Sequence, residues 1–173
     1  MMPEILYQGK FLRLCKRRGW EFAESQVATG VVGILAETAA GEFIFIEQNR
    51  PPVNGSVIEL PGGLVGDDGT PEPAETAARR ELLEETGWGG GTWRSLGNGA
   101  TSPGMSSEMV EIFHVTGAEK VAEGGGVGGE QIQSYLVPTT EAHAWLEKMR
   151  SSGKTIDFRV FAAMWLARAR GNF

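Results

Sequence analysis

The stretch that most constrains the fold is Pro61–Trp88, which reads PGGLVGDDGTPEPAETAARRELLEETGW. It starts with a glycine turn, continues through an acidic loop and enters a segment of helical character that ends at Gly87. Glu81, Glu84 and Glu85 crowd the last turns of that segment. Like charges one turn apart destabilise a helix by roughly 0.2–0.5 kcal/mol. A cluster this dense therefore indicates a bound cation.

The boundaries of this helix are marked in the sequence. Thr70 is a suitable N-cap and Pro71 a suitable first helical residue, because a proline there loses no hydrogen bond. Gly87 is suited to the left-handed conformation that follows a helix. Alanines and leucines between these ends supply an apolar side. The sequence therefore predicts a helix over Pro71–Thr86.

The rest of the chain is rich in predicted strands. These strands are Ile5–Arg17 with a turn at Gly9, Trp20–Gln26, Ala28–Ala36, Glu42–Gln48, Val57–Leu60, Thr92–Gly97, Met109–Thr116 and Gln131–Val137. Gly117–Glu130 is a glycine-rich stretch predicted to be a mobile loop. Further helices are predicted over Thr140–Arg150 and Ile156–Arg170, the last with Phe158, Phe161, Met164, Trp165 and Leu166 on its apolar side.

This order predicts an α/β fold, in which a mixed central sheet lies between helices. Residues 1–27 form an antiparallel β meander in front of the main domain, residues 28–173. A length of 173 residues suits one domain with a small appendage. One cysteine, Cys15, excludes an intrachain disulfide framework and is expected in the core.

The net charge of −6 argues against a general binder of nucleic acid or of anionic membranes. A small anionic substrate stays possible, since a bound metal ion reverses the local charge. The first residues contain no signal-peptide run and no stretch approaches a membrane span, so a cytoplasmic location is expected by default.

The glutamates of the predicted helix suit a hard cation. Glu81 and Glu85 lie one turn apart and Glu84 is adjacent. Mg²⁺ is commonly held by one or two carboxylates together with water and substrate phosphate oxygens. No cluster of cysteine and histidine is present to bind zinc. The alternative is a solvated helix face without a ligand.

The spacing around these glutamates resembles the box of the Nudix hydrolases, G-x5-E-x7-R-E-U-x-E-E-x-G-U, where U is aliphatic or large and apolar. The matching residues are Glu72, Arg80-Glu81-Leu82, Glu84-Glu85 and Gly87-Trp88. The resemblance implies the α/β/α Nudix sandwich and hydrolysis of a nucleoside diphosphate linked to another group. It implies Mg²⁺, with Mn²⁺ as a possible substitute, held by Glu81, Glu84, Glu85 and the Gly62 carbonyl, and catalytic roles for Glu85, Glu81 and Arg80.

One feature departs from the family pattern. In typical members the glycine of the PGG or PAG turn is also the first glycine of the box. Here Gly66 satisfies that spacing, and the Pro61-Gly62-Gly63 turn precedes it. The loop ahead of the helix is therefore expected to be longer than usual.

Segments outside the box resemble ADP-ribose and related nucleotide-sugar pyrophosphatases. They are Gln48–Pro51, Ile58–Pro61 and Thr101–Glu108. Arg50, followed by two prolines, is a candidate to grip a phosphate, and a surface charge is the alternative.

The same resemblance implies further substrate-binding residues. These are Trp20 and Glu21 on an N-terminal strand, and Pro103, Gly104 and Glu108 on a later loop. Members of this subgroup commonly form homodimers in which the N-terminal strands complete the partner's base pocket. Trp20 is a candidate to stack on a nucleobase, with ordinary packing as the alternative.

The general base is left open. The subgroup commonly carries an acidic residue on the loop before the last strand, and the candidates here are Glu130 and Glu123. A box glutamate, Glu81 or Glu85, is the other option. The expected activity is Mg²⁺-dependent hydrolysis of a nucleoside diphosphate sugar, with ADP-ribose giving AMP and ribose 5-phosphate. A hydrolase of nucleoside triphosphates, GDP-mannose or dinucleotides and a non-catalytic nucleotide sensor are the alternatives.

Overall fold

The computed structural model describes residues 2–66, 69–129 and 131–171. The strands are β1 (Glu4–Gln8), β2 (Leu12–Arg17), β3 (Trp20–Ser25), β4 (Gly30–Thr38), β5 (Glu42–Arg50), β6 (Gly55–Glu59), β7 (Gly62–Val65), β8 (Trp88–Ala100), β9 (Met109–Lys120), β10 (Gln133–Pro138) and β11 (Thr155–Ile156). The α-helices are α1 (Ala74–Thr86), α2 (Ala142–Ser151) and α3 (Phe158–Ala169), and a short 3₁₀ helix spans Pro51–Val53. Within the described ranges, no helix is long and apolar enough to cross a membrane.

The main sheet has the order β11-β6-β5-β4-β9-β8, with β10 beside β5 and β7 beside β4. The pairs β4–β9 and β6–β11 are parallel, whereas the other pairs are antiparallel. Strands β1, β2 and β3 form a separate antiparallel sheet. The predicted mixed sheet and the N-terminal meander are both confirmed.

Strand β4 lies at the centre of the fold and is buried on both faces. Leu35 packs in a core cluster with residues of α2 and α3. Ile34 and Ala36, which point to the other face, pack in a second cluster with residues of α1. The sheet therefore lies between α1 and the α2–α3 pair, as expected for an α/β/α sandwich.

Helix α1 begins later than the sequence predicted. It starts at Ala74, and Pro73 occupies the cap position with extended backbone angles. The predicted start at Pro71, with Thr70 as N-cap, is therefore wrong. The reason is local, because a residue followed by proline is disfavoured in the helical conformation and Glu72 precedes Pro73. The predicted end is right, since Gly87 has a φ of 71° and its N–H donates to the Leu83 carbonyl at 2.8 Å.

Several other boundaries differ. Strand β7 was not predicted, and β8 and β9 both extend beyond their predicted ends. The apolar side of α3 was partly wrong, because Phe158 and Trp165 are 84% and 68% exposed. Small residues, Ala163 and Ala167, are buried instead, since the close approach of α3 to the sheet leaves little room.

Candidate active site

The turn at Pro61–Gly63 places Glu85. The backbone N–H of Gly62 donates to Glu85 Oε2 at 2.9 Å. Glu85 is only 4% exposed, so its carboxylate is fixed by a hydrogen bond inside the fold. A Cβ atom at Gly62 would lie 2.1 Å from the Val32 carbonyl oxygen. Glycine is therefore required at position 62, where the backbone of β7 packs against β4. The Gly62 amide points towards the end of α1.

The next glycine makes room for Glu81. A Cβ atom at Gly63 would lie 2.4 Å from Glu81 Oε1. The Glu81 carboxylate thus lies directly over the backbone of β7. Glu81 and Glu85 lie on successive turns of α1. The two consecutive glycines leave room for both carboxylates beside the start of β7.

Arg80 compensates the charge of this cluster. Its Nη1 donates to Glu81 Oε1 at 2.8 Å and to Glu84 Oε2 at 3.2 Å, and its Nη2 donates to Glu72 Oε1 at 3.1 Å and to the Leu64 carbonyl at 3.2 Å. Burial opposes the charge of Arg80, but Glu72 and Glu81 outweigh it and raise the pKa of the guanidinium. The Arg80 guanidinium therefore offsets part of the repulsion among the glutamates of α1, from which the sequence predicted a bound cation.

Hydrogen bonds among the described residues tie the loop ahead of α1 to that helix. The N–H of Gly66 donates to Glu72 Oε1 at 3.2 Å, and the N–H of Gly69 donates to the Gly66 carbonyl at 3.1 Å. Gly66 and Gly69 both have positive φ. Glu72 accepts hydrogen bonds from both the Gly66 amide and Arg80, which ties this loop to α1. Asp67 and Asp68 lie outside the described residues.

A cleft of about 470 Å³ opens beside Glu81 and Glu85. Its polar lining, as far as the structure describes it, includes Gln48, Arg50, Glu59, Glu81, Glu85, Glu108 and Arg159. Two arginines and four glutamates among these described residues give a formal charge of −2. We call this cavity the carboxylate cleft. It contains five of the predicted site residues, namely Arg50, Gly62, Glu81, Glu85 and Glu108.

Arg50 is held in the cleft by a buried partner. Its Nε donates to Glu59 Oε1 at 2.9 Å and its Nη2 to Glu59 Oε2 at 2.6 Å. This hydrogen bonding raises the pKa of Arg50, and Glu59 is 4% exposed. The Arg50 side chain is thus 42% exposed, paired with Glu59 and part of the cleft lining. Glu59 was missed as a site residue, although a glutamate between the apolar Ile58 and Leu60 is a recognisable sign of a buried charge.

Other predicted residues lie together elsewhere. The Trp20 ring faces Gly104, where an added Cβ would lie 3.8 Å from the ring. The N–H of Ala23 donates to the Met105 carbonyl at 2.8 Å, so this loop packs on β3. Trp20 is 66% exposed, and Glu21 and Pro103 are exposed as well. These residues do not line the carboxylate cleft within the described residues.

Glu108 connects the two regions. Its Oε1 accepts a hydrogen bond from Thr101 Oγ1 at 2.8 Å. It lines the carboxylate cleft and also a cavity of about 590 Å³ between the N-terminal sheet and the main domain. Glu108 therefore lies where the loop on β3 meets the carboxylates.

The glycine-rich loop is anchored to α1. The N–H groups of Gly125 and Gly126 donate to the carbonyls of Glu85 and Glu84 at 2.8 and 3.0 Å. A Cβ atom at Gly124 would lie 2.3 Å from the Thr86 carbonyl carbon. Close packing on the helix end therefore requires glycine at position 124, and the neighbouring N–H groups supply donors to the terminal carbonyls of α1. The sequence predicted a mobile loop that carries candidates for the general base, and it did not predict this anchoring.

The two candidates for the general base differ in status. Glu130 lies outside the described residues. Glu123 is exposed, and its carbonyl accepts a hydrogen bond from Lys120 Nζ at 2.7 Å. The same Lys120 Nζ donates to the Thr86 carbonyl at 2.7 Å. Glu123 therefore lies at the end of α1, outside the described lining of the carboxylate cleft.

The donor set is compatible with Mg²⁺. Across the described ranges, no three His, Cys, Asp or Glu side chains form a group arranged to hold a metal ion. Glu81 and Glu85 nevertheless line one cleft, and one or two carboxylates are the usual protein share of a magnesium site. Glu84 is engaged by Arg80 and is absent from the described lining. The fit is therefore to a cation that takes its remaining ligands from water and substrate.

The arrangement of Glu81, Glu85 and Arg80 behind a double glycine agrees with a comparison against known families. The model of the NUDIX domain matches residues 24–157. The chain belongs to the Nudix family. The resemblance seen in the sequence is thereby confirmed, and the match covers β11 and every described lining residue of the carboxylate cleft except Arg159.

Relatives of this Nudix chain carry several names. A GDP-mannose pyrophosphatase of Pectobacterium atrosepticum is 35% identical over 136 residues, which cover 73% of this chain and 68% of that protein. An ADP-ribose pyrophosphatase of Bacillus subtilis is 36% identical over 84 residues, 49% of this chain and 44% of that protein. A methanol dehydrogenase activator of Bacillus methanolicus is 29% identical over 122 residues, 70% of this chain and 64% of that protein.

The alignment with the Bacillus subtilis protein thus spans less than half of its length. Among solved structures, an ADP compounds hydrolase superposes with a TM-score of 0.74, covering 100% of this chain and 95% of that chain. Its sequence identity of 19% supports the shared fold alone.

Proposed function

We propose that this protein hydrolyses the pyrophosphate bond of a nucleoside diphosphate sugar in the presence of Mg²⁺, with ADP-ribose as the first candidate. Mn²⁺ is a possible substitute for Mg²⁺. The observation that carries the proposal is the meeting of Glu81, Glu85 and Arg50 in one cleft. Nudix pyrophosphatases generally use divalent metal ions, and the pyrophosphatases among the relatives favour this substrate class.

The charge of the cleft supports a metal-dependent reaction. With a formal charge of −2 from its described lining, the cleft repels a pyrophosphate on its own. A bound divalent cation supplies positive charge to the phosphate oxygens and lowers the pKa of attacking water. Glu81 and Glu85 are the side chains proposed to hold it, with Glu84 and the Gly62 carbonyl as the further predicted ligands.

The chain's own groups account for the other requirements. Glu85 is held by the Gly62 amide and Glu81 by Arg80, so neither carboxylate needs to reorganise when substrate binds. Arg50, fixed by Glu59, offers its remaining N–H groups to a phosphate. Glu108 is proposed to accept hydrogen bonds from ribose hydroxyls, and a box glutamate, Glu123 or Glu130 to take the proton from water.

A panel of substrates tests the proposal. Purified protein is incubated with ADP-ribose, GDP-mannose, UDP-glucose, NADH and diadenosine polyphosphates, with Mg²⁺ and with chelator, and the products are separated by chromatography. We expect AMP and ribose 5-phosphate from ADP-ribose, only in the presence of metal. Preferred turnover of GDP-mannose would replace ADP-ribose as the proposed substrate by GDP-mannose. Tight binding without turnover of any compound would favour a nucleotide sensor and contradict the proposal.

The N-terminal sheet is proposed to form a homodimer. Large apolar side chains are exposed on it, including Tyr7 at 69%, Phe11 at 58% and Leu12 at 55%. Residues 1–27 would then act as an appendage that brings Trp20 and Glu21 to the base-binding region of the partner. Light scattering of the wild type and of Tyr7→Arg tests this, with a dimer and a monomer as the expected results. A monomeric wild type would contradict it.

A further inference from the structure

We propose that Arg159 binds a phosphate of the substrate from the α3 side of the carboxylate cleft, and that Asp157 is its positioning residue. The inference rests on the proposed function. It adds a second arginine to the phosphate site, from a part of the chain more than seventy residues beyond the Nudix box.

Asp157 controls both the backbone and the side chain of Arg159. Asp157 is the N-cap of α3, and its Oδ1 accepts a hydrogen bond from the Arg159 N–H at 2.8 Å. Its Oδ2 accepts from Arg159 Nε at 2.6 Å and forms an ion pair with Nη2. One carboxylate therefore caps the helix and sets the direction of the guanidinium.

The sheet in turn fixes Asp157. Its N–H donates to the Ile58 carbonyl at 3.0 Å, directly after the parallel pairing of β11 with β6. The residue after Ile58 is Glu59, which holds Arg50. The end of β6 thus places two arginines, one through Glu59 and one through Asp157, and both line the carboxylate cleft.

Arg159 keeps donors for a ligand. A guanidinium has about five N–H donors in a fixed fork, and Asp157 engages Nε and Nη2. The side chain is 30% exposed, and Arg159 lines the cleft, so solvent and ligands reach it. Burial opposes its charge, but Asp157 outweighs this and raises the pKa of Arg159. The group stays cationic in the cleft that also holds Glu81 and Glu85.

The alternative is an ion pair that only begins a helix. The surroundings of Arg159 favour a role in ligand binding, because Arg159 lies where two cavities meet. With Glu108 it lines both the carboxylate cleft and a neighbouring cavity of about 570 Å³ between β8 and α3. A nucleoside diphosphate sugar carries a group on each side of its pyrophosphate. If these groups occupy the two cavities, the pyrophosphate lies beside Arg159.

Steady-state kinetics on the preferred substrate of the panel test the inference. We compare wild type with Arg159→Ala, Arg159→Lys and Asp157→Asn, with Arg168→Ala as the matched control. Arg168 is exposed in the last turn of the same helix. We expect KM to rise by about 10- to 100-fold in Arg159→Ala, the effect of losing a charge-assisted hydrogen bond. Arg159→Lys should recover part of it, because the charge remains without the fork, and the control should match wild type.

Asp157→Asn separates positioning from helix capping. Asparagine still accepts from the Arg159 N–H but no longer pairs with the guanidinium charge. We expect unchanged thermal stability within a few degrees and a KM raised by less than in Arg159→Ala. Equal KM values for wild type and Asp157→Asn would overturn the positioning role.

Binding of ADP, measured by calorimetry, keeps the two proposals distinguishable. A wild type that turns over no substrate but binds ADP more tightly than Arg159→Ala would defeat the proposed function and support the phosphate contact. Unchanged KM and unchanged ADP affinity in a folded Arg159→Ala would overturn the inference alone. If Arg159→Ala does not fold, Arg159→Lys is compared with wild type instead, and an unchanged KM together with an unchanged ADP affinity in Arg159→Lys would overturn the inference.

Discussion

The Gly62 amide donates a hydrogen bond to Glu85 Oε2 at 2.9 Å and so joins the start of β7 to the end of α1. A carboxylate that is only 4% exposed carries a desolvation cost, and this hydrogen bond offsets part of it. Glu85 is thereby held at the cleft in one orientation. The chemistry of the helix end depends on a backbone group that lies more than twenty residues earlier.

Replacement of Glu85 by glutamine should abolish most activity and leave the fold intact. The amide oxygen of glutamine still accepts from Gly62, but the negative charge for a cation is lost. Metal-dependent stabilisation amounts to several kcal/mol, so we expect turnover to fall by at least about 100-fold. Product formation from ADP-ribose with Mg²⁺ measures this.

Glu75→Gln is the matched control for that experiment. Glu75 lies on the same helix, is exposed and pairs with Arg79 on the surface. We expect activity close to wild type. Near wild-type turnover by Glu85→Gln, with an unchanged circular dichroism spectrum, would refute the assignment of Glu85 to the metal site.

The two glycines of the turn should respond differently to alanine. At Gly63 the new Cβ would meet the Glu81 carboxylate, a flexible group that can move away. At Gly62 it would meet the Val32 carbonyl of β4, which cannot. Gly63→Ala should therefore lose activity with little loss of stability, whereas Gly62→Ala should be destabilised by about 1–3 kcal/mol, as for overpacking of a core.

Activity and chemical denaturation, measured together, check this contrast. Gly99→Ala is the control, because in the described part of the chain nothing beyond its two sequence neighbours lies within 4 Å of an added Cβ there. Full activity of Gly63→Ala would show that the position of Glu81 does not matter for turnover.

Removal of Arg50 should affect both binding and stability, and a double variant should separate the effects. Arg50→Ala leaves the buried Glu59 carboxylate without its cationic partner, although Gln48 Nε2 still donates to it at 3.3 Å, and this loss costs about 1–3 kcal/mol. Glu59→Gln in the same chain removes that charge and should restore part of the stability. The KM of the double variant should stay as high as that of Arg50→Ala. Recovery of KM along with stability would mean that Arg50 acts only through folding.

A buried histidine should make stability fall in mild acid. His114 is 2% exposed, and its Nε2 lies 3.5 Å from Glu37 Oε2, each atom buried without a hydrogen-bond partner among the described residues. Burial, with Arg94, lowers the pKa of His114. His114 therefore takes up a proton below about pH 6.5 in the unfolded chain but stays neutral at that pH in the folded chain. The free energy of unfolding consequently decreases as the pH falls through that value.

Burial raises the pKa of Glu37, which acts in the opposite sense. Its contribution is present below about pH 4.5 and is lost as the pH rises through the raised value. Thermal unfolding at about pH 7.5 and 5.5 isolates the histidine when His114→Gln is compared with wild type. We expect wild type to lose more stability on acidification. His143→Gln, at an exposed position of α2, should behave as wild type. An equal loss of stability in His114→Gln would show that His114 is not the source of the acid sensitivity.

Local patterns predicted the elements that local physics controls. The strands predicted at Ala28–Ala36 and Glu42–Gln48 and the helix end before Gly87 were all found, because each depends on neighbours a few residues away. The start of α1 was misjudged, since Pro71 was weighed as a helix-favouring residue and the restriction that Pro73 places on Glu72 was not. Strand β7 was missed because glycines carry little strand preference and pair here only through contact with β4.

By itself the sequence determined the Nudix box, the mixed α/β fold and a helix end rich in carboxylates, because these depend on residue order and spacing along one segment. Only the tertiary structure decided which charges share a cleft. Glu59 holds Arg50, and the hydrogen bond from the Asp157 N–H to the Ile58 carbonyl brings the local Asp157–Arg159 pair to the same end of β6. The reason is physical, since a buried charge takes its partner from whichever strand or helix the fold brings alongside it, and spacing along the chain does not encode that choice.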